Sequence, residues 1–444
     1  MGKAIAERLD YRVEPGGSLS GIVRVPGDKS ISHRAVILGS IAEGETNIDG
    51  LLQGNDVLAS INAMRALGVE IDGPEAGRLT LQGVGLHGLH QPSHDLDLGN
   101  SGTGMRLLCG LLSAQQFGVV LTGDASLLRR PMQRIVEPLR RMGAQIHTSR
   151  DGRAPLRIDG GAALSGIYYS MPVASAQVKS TLLLAGLYAS EETCVAEPAP
   201  TRDHTERMLR DFGYEVRYTE DTACVSGGGV LQGRAFQIPG DLSSATFFLV
   251  GATIATDSNL RLEGVGINPS RRGVLDILRD MGADIQIMDP RRLGGEPVAD
   301  LVVRSAALHG IRIPKDKVPL AIDEFPAILI AAACASGETV LSGAEELRVK
   351  ESDRISAMAQ GLRNLGVEVS ERVDGVVVRG GIIHGGEVDS HGDHRVAMAF
   401  AMAGIQAERP ILVRNCDNVA TSFPDFVGLT ARSGLNIAAI TATQ

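Results

Sequence analysis

One phrase recurs along this chain and limits what it can fold into. An amphipathic helix end runs into apolar-Gly-apolar and then into strand-like alternation. It reads MRALGVEI at 64–71, LRRMGAQI at 139–146, MLRDFGYEV at 208–216, ILRDMGADI at 277–285 and LRNLGVEV at 362–369, with a weaker sixth copy, LTARSGLNI, at 429–437. The glycines (Gly68, Gly143, Gly213, Gly282, Gly366 and Gly434) are 75, 70, 69, 84 and 68 residues apart, so six units nearly fill the 444 residues. Each glycine stands where a helix needs a left-handed terminating residue, and the alternation behind it is that of a half-buried strand. Within a unit the order reads strand-helix-strand-helix-strand-strand. Ala/Leu/Val-rich stretches such as 178–187 and 328–335 predict helices buried on most sides. The turn Pro-Gly-Asp stands at 26–28 and again at 239–241, at the repeat boundary. The pattern predicts an α/β (α+β) protein of two similar halves, 25–238 and 239–444, each of three units.

Composition narrows the class. Hydrophobic residues make up 43%, aromatics only 3%, and there is no Trp, so the cores must be aliphatic. The net charge of −9 argues against nucleic acid as a partner, because phosphate backbones attract basic faces. Any anion site must be a local cluster of cations. Cys109, Cys194, Cys224, Cys334 and Cys416 include no C-x-x-C pair, and an odd, scattered set does not resemble a disulfide framework. We expect a reducing compartment. The first ten residues mix charges without an apolar run. Neither a signal peptide nor a membrane span is expected, and the protein is read as cytoplasmic.

Candidate chemistry lies at predicted helix starts. VPGDKSISHR at 25–34 sets Lys29, Ser30 and Arg34 at the opening of an apolar helix, where backbone N–H groups and the helix dipole favour an anion. LGNSGTGMR at 98–106 is a glycine-rich turn without dinucleotide or P-loop spacing. DASLLRRPM at 124–132, VASAQVKS at 173–180 and TRDHTE at 201–206 each open a helix in this reading. Surface arginines and plain caps are the simpler alternatives. In the second half come DEFP at 323–326, EELRVKESDR at 345–354 and HGDHR at 391–395. The charge run at 345–354, taken alone, reads as a solvated face. His87, His90 and His94, and likewise His391, Asp393 and His394, have ligand-like spacing, but buried or capping histidines are the plainer reading, and no metal is expected. Lys29, Arg34, Arg130 and Arg202 in one half, with Asp323, Lys350, Glu351, Arg354 and Arg395 in the other, suggest a cationic cleft with two carboxylates. That suits two anionic substrates joined by acid/base chemistry, with closure excluding water.

PGDKSISHR, LGNSGTGMR, RRPMQR, SAQVKS, TRDHTERM, DEFP, ELRVKESDR, GDHRVAM and TSFPDF stand in the order found in the 5-enolpyruvylshikimate-3-phosphate synthase family, which the chain resembles over about residues 20–430. The resemblance implies two domains of three βαβαββ units each (an inside-out α/β barrel), with residues 1–24 packing on the C-terminal one. It implies transfer of the enolpyruvyl group of phosphoenolpyruvate to the 5-hydroxyl of shikimate 3-phosphate, without metal or organic cofactor, by a monomer that binds neither nucleic acid nor membrane.

Carried over by motif, Ser30 and Arg34 take the carboxylate of shikimate 3-phosphate. Ser175, Ala176, Arg202 and Lys350 surround its phosphate, and Gln177 lies against the ring and the second substrate. Lys29 and Arg130 bind the phosphate of phosphoenolpyruvate, Arg354 and Arg395 its carboxylate, and Gly102 lines its pocket. Asp323 is the base near the 5-hydroxyl, Glu351 the proton donor to the methylene carbon, and Lys29 is counted with them as catalytic.

One departure is that Thr421 stands where plant and enteric-type members carry lysine before the Phe-Pro segment. RPMQR, SAQVKS and ATSFP resemble a glyphosate-tolerant branch, whereas Gly102 lacks the methyl that branch can carry, so the motifs leave glyphosate response open. UDP-N-acetylglucosamine enolpyruvyl transferase is the nearest rival, but its loop cysteine has no counterpart in 123–132. A non-catalytic anion sensor would not need both Asp323 and Glu351. RNA-end cyclases are disfavoured by the acidic balance and the missing nucleotidylation histidine context.

Overall fold

The computed structural model of the protein describes residues 8–442; the expectation for the N-terminal tail lies outside the described residues over 1–7. Two compact units emerge. One comprises Gly27–Pro239 with Arg292–Glu296, the other Gly240–Arg291, Pro297 onward and the stretch up to Pro26. Each has its own aliphatic core. The sequence division had placed 292–296 with the rest of 239–444. That five-residue tip between the strands Asp284–Leu293 and Glu296–Arg304 instead groups with the first unit. Buried His204 Nδ1 meets Glu296 Oε1 at 2.6 Å there, and Arg207 donates to the Gly295 carbonyl.

Six small sheets carry the repeat among the described residues, three in each unit. In the first unit every sheet joins one parallel pair to an antiparallel hairpin. Thr193–Ala196 runs parallel to Tyr168–Ser170 and antiparallel to Thr222–Val225, which pairs with Val216–Tyr218. Leu96–Asp97, Val119–Thr122, Leu156–Ile158 and Ile146–His147 repeat the plan. The first copy begins with a helix and lacks its leading strand. Ala235–Gln237, the last strand of the unit, supplies it by pairing parallel to Glu43–Asp49. The second unit is completed similarly by the N-terminal strands. Arg8–Val13 inserts between Ile411–Arg414 and Ile437–Ala442, and Ser20–Val23 runs parallel to Asn259–Gly266.

The repeat glycines Gly68, Gly143, Gly213, Gly282, Gly366 and Gly434 all have φ between 83° and 114°, which an L side chain adopts only at a cost. A second device accompanies five of them. Three residues before the glycine stands an arginine that reaches around the turn to a strand carbonyl six residues ahead: Arg65 to Ile71, Arg140 to Ile146, Arg210 to Val216, Arg279 to Ile285 and Arg363 to Val369. The cation also suits the helix C-terminus. At the sixth copy the corresponding residue is Ala431, which accounts for its weaker likeness.

The first helix of each repeat is the most buried one. Leu242–Ile254 is buried along its whole length and packs against Phe325–Ala333 and His394–Ala403. In the other unit Lys29–Ser40, Gly102–Leu112 and Ala176–Gly186 play that part. These six inner helices expose little, and the charged motifs sit at or just before their N-terminal ends.

Two sequence expectations fail here. Cys194 and Cys224 form a disulfide, because the antiparallel register of their strands sets them directly opposite, a proximity that a sequence separation of 30 conceals. Cysteine usage therefore no longer argues for a reducing compartment. Arg130 is buried rather than a surface arginine at a helix start: it ends a short turn, Leu127–Arg129, before the helix Gln133–Arg141 begins. No described helix is long and apolar enough to cross a membrane.

Candidate active site

In the first unit the helix Lys29–Ser40 is capped by Asp28, whose carboxylate accepts from the Ile31 N–H at 2.9 Å. This turn presents Lys29, whose Nζ lies 2.5 Å from Asp56 Oδ2. One turn on, Arg34 is buried. It donates from Nε to Thr205 Oγ1 at 2.7 Å, from Nη1 to the Ser30 carbonyl at 2.9 Å and from Nη2 to Ser180 Oγ at 2.7 Å. Burial pulls its pKa down to about 10, against the opposing pull of Glu206, and it stays a cation at neutral pH. Arg202 donates to Ser30 Oγ at 3.4 Å, which joins three of the proposed carboxylate- and phosphate-binding residues. His33, in the same motif, is a core residue. It is fully buried against Ser60, and burial with the charges of Lys29 and Arg34 holds its pKa well below the ordinary value, so it stays neutral.

Ser101 caps the helix Gly102–Leu112, and Ser175 caps Ala176–Gly186. The two N-termini are tied together. Arg106 Nη1 donates to Gln177 Oε1 at 2.6 Å, and Gln177 Nε2 donates to Thr103 Oγ1 at 3.0 Å. That pair of bonds assigns the Gln177 amide orientation. Arg130 Nη2 donates to Asn100 Oδ1 at 2.5 Å, and a methyl added at Gly102 would stand 2.9 Å from Arg130 Nη1. A side chain here would press on the guanidinium ends of both Arg130 and Arg106, which would have to shift. Beneath lies a buried ionic support: Lys179 Nζ is 2.8 Å from both Glu197 and Glu206. Burial lowers the Lys179 pKa, but the two carboxylates more than reverse this, so it remains charged.

In the second unit Arg354 organises the site. It is 1% exposed and makes three carboxylate contacts: Nε to Asp393 Oδ2 at 2.8 Å, Nη1 to Asp323 Oδ1 at 3.1 Å and Nη2 to Glu351 Oε2 at 2.6 Å. Burial alone would lower its pKa; Asp393, Glu351 and Asp323 together raise it, so the guanidinium is permanently charged. The same ion pair holds buried Asp393 ionised. Lys350 Nζ sits 3.6 Å from Asp323 and 2.9 Å from Glu346. Arg395 donates to the Asp323 carbonyl at 3.1 Å and lies 3.8 Å from Glu324. The five candidates Asp323, Lys350, Glu351, Arg354 and Arg395 therefore share one cluster, and the run at 345–354 is only partly a solvated face.

Neither histidine set gathers into a three-ligand group. The one such group among the described residues is Glu192, Cys194 and Cys224. His391 stands in the left-handed region, and Asp393 caps the helix His394–Ala403. The sequence reading missed Asp56, Asn100, Arg106 and Asp393 as partners that hold site residues, and Lys179 as the buried cation between Glu197 and Glu206. Arg106 and Lys179 already lay inside quoted motifs, one turn beyond the caps Ser101 and Ser175, which is the signal that could have found them.

Comparison with known proteins bears on this arrangement. Residues 13–429 match the family model described as EPSP synthase (3-phosphoshikimate 1-carboxyvinyltransferase). A 3-phosphoshikimate 1-carboxyvinyltransferase of Methylococcus capsulatus is 62% identical over 427 residues, covering 96% of this chain and 98% of that one. One from Alkalilimnicola ehrlichii is 61% identical, with 96% of each chain covered. Among solved structures, an EPSP synthase from Acinetobacter baumannii superposes with a TM-score of 0.88 at 53% identity, over 98% of this chain and all of that one.

Proposed function

The chain belongs to the EPSP synthase (3-phosphoshikimate 1-carboxyvinyltransferase) family, and from that premise we propose how its side chains divide the reaction. The enzyme serves the shikimate pathway: it moves the 1-carboxyvinyl group of phosphoenolpyruvate to the 5-hydroxyl of shikimate 3-phosphate and releases phosphate. Ser30 and Arg34 hold the shikimate carboxylate. Ser175, Ala176, Arg202 and Lys350 hold its phosphate, and Gln177 orients the ring. Lys29 and Arg130 bind the transferred group's phosphate, Arg354 and Arg395 its carboxylate, and Gly102 leaves room beside them.

Asp323 accepts the proton of the 5-hydroxyl as its oxygen attacks the enol carbon. Glu351 delivers a proton to the methylene carbon, which gives a tetrahedral adduct. Loss of a proton from the new methyl group and departure of phosphate, stabilised by Lys29 and Arg130, restore the double bond.

The observation that carries this division is the single guanidinium of Arg354 holding Asp323 and Glu351 on its two terminal nitrogens. It fixes two carboxylates a short distance apart beside two further cations, as acid/base chemistry on an anionic substrate requires. Both residue sets come from one chain, which supports action as a monomer. Both substrates are phosphorylated and do not cross membranes unaided, which supports a cytoplasmic site. Purified protein given the two substrates should release phosphate and form the enol ether, followed by coupled phosphate detection and phosphorus NMR. Folded protein that binds shikimate 3-phosphate without turnover would overturn the assigned roles.

A further inference from the structure

The Cys194–Cys224 pair takes no part in the roles given above, and its surroundings have chemistry of their own. The two residues face each other at a narrow pair of the ladder between Thr193–Ala196 and Thr222–Val225, with Cα atoms 4.1 Å apart. Thr193–Val225, Val195–Ala223 and Ala196–Thr222 pair on either side of them. The backbone ladder therefore keeps the sulfurs opposed whether or not they are bonded. Beside them opens a cleft of about 440 Å³ lined by Cys224, Glu192, Glu215, Arg217, Tyr214 and the glycine turn 227–229. Cys224 lines this cleft although it is only 9% exposed, whereas Cys194, the more exposed of the two, does not line it and has its Sγ 3.5 Å from Glu192 Oε2. Its charged lining is one cation, Arg217, which forms an ion pair with Glu192, and two exposed carboxylates, Glu192 and Glu215. A visitor with an ammonium group is favoured there, and a purely anionic one is repelled.

We propose that this cleft is a docking and exchange site for a small ammonium-bearing thiol of the amino-acid type, which opens and recloses the Cys194–Cys224 disulfide. The ligand's ammonium meets Glu192 and Glu215, and its carboxylate meets Arg217. Its thiolate attacks Cys224 Sγ from the cleft. The S–S bond breaks, the electron pair leaves on Cys194 Sγ, and solvent protonates that thiolate. A second molecule of the thiol attacks the ligand sulfur of the mixed disulfide and releases the small disulfide and the Cys224 thiol. Overall two small thiols are oxidised to one disulfide, and the protein disulfide gains two electrons and two protons. Reclosure is the same path in reverse, with the small disulfide as oxidant.

The test is the rate of opening of the intact oxidised protein by thiols of different charge, each rate divided by its thiolate concentration and followed by mass spectrometry. L-cysteine should react about tenfold faster than 3-mercaptopropionate, with 2-mercaptoethanol between them, and the L-cysteine rate should saturate. Glu192→Gln combined with Glu215→Gln should remove most of the difference. In Cys194→Ser, cystine should place one cysteinyl adduct on Cys224; in Cys224→Ser, Cys194 should react much more slowly. Equal or reversed rates among the three thiols, preferential adduct formation at Cys194, or five titratable thiols in the air-oxidised protein would overturn the proposal. The kinetics on the unsubstituted protein decide the matter even where a serine variant fails to fold.

Discussion

Replacing Arg354 by lysine tests the centre of the proposed chemistry. The substitution keeps the positive charge and shortens nothing essential, but it exchanges a planar fork for a single point of donation. Arg354 has five N–H donors. Three go to Asp393, Asp323 and Glu351. Two remain, one on each terminal nitrogen, and such a pair can bind the two oxygens of a carboxylate. A lysine at this position can serve Asp393, which is fully buried and demands a partner, but it cannot also span Asp323, Glu351 and a ligand carboxylate. Loss of the bidentate ligand contact costs about 2–3 kcal/mol, within the range for hydrogen bonds to charged groups. At 1.36 kcal/mol per factor of ten, that is a fall of about 30- to 160-fold in kcat/KM for phosphoenolpyruvate. The Michaelis constant for shikimate 3-phosphate should move far less. Steady-state phosphate release with each substrate varied in turn, alongside a thermal unfolding curve, separates these effects. A variant that keeps kcat/KM for phosphoenolpyruvate within threefold of the parent would refute the reasoning. Equal losses for both substrates would do so too, because they would mean that Arg354 acts only through Asp323 and Glu351 and not on the ligand carboxylate.

Three further outcomes are expected. Glu351→Gln and Asp323→Asn should still bind shikimate 3-phosphate by calorimetry while turnover falls by about a hundredfold or more, the usual loss when a positioned acid or base is removed; near-native turnover would cancel those roles. Gly102→Ala would set a methyl 2.9 Å from Arg130 Nη1 and 3.0 Å from Arg106 Nη1; displacing those forks should raise the Michaelis constant for phosphoenolpyruvate about tenfold, in line with ~1–3 kcal/mol for overpacking, and an unchanged constant would show that the space is slack. Asp10 is buried, which raises its pKa, but bonds from Arg414, the Asn415 N–H and Arg8 outweigh burial and lower it below the ordinary value. Its contribution is therefore present at neutral pH and lost as the pH falls through the folded-state value, so Asp10→Asn should cost about 1–3 kcal/mol at pH 7 and progressively less as the pH is taken below the ordinary aspartate range, read by urea unfolding across that series.

The repeat and its glycines were legible in the sequence because they are local events: a helix stops, the chain turns left-handed, and a strand begins within a few residues. The ordered motifs were legible too, since each capped helix start is a short contiguous string. Partners brought in from elsewhere in the chain were not legible. Nothing in the string at 29 points to Asp56, and nothing at 100 points to Arg130. The motif placed Arg354 among the site cations, but its three carboxylate partners, at positions 323, 351 and 393, became visible only where the fold brings them around it.

The sequence by itself determined six similar units, the aliphatic cores and the family's residue set. Tertiary structure decided how the repeat is completed: Ala235–Gln237 and Arg8–Val13 fill strand positions that their local sequences do not announce. It also decided that Cys194 faces Cys224 and that residues 292–296 group with the first unit. The physical reason is the same throughout. Helix ends and turns follow from interactions within one turn of chain, whereas strand registry, ion-pair geometry and burial depend on which distant segments share a surface.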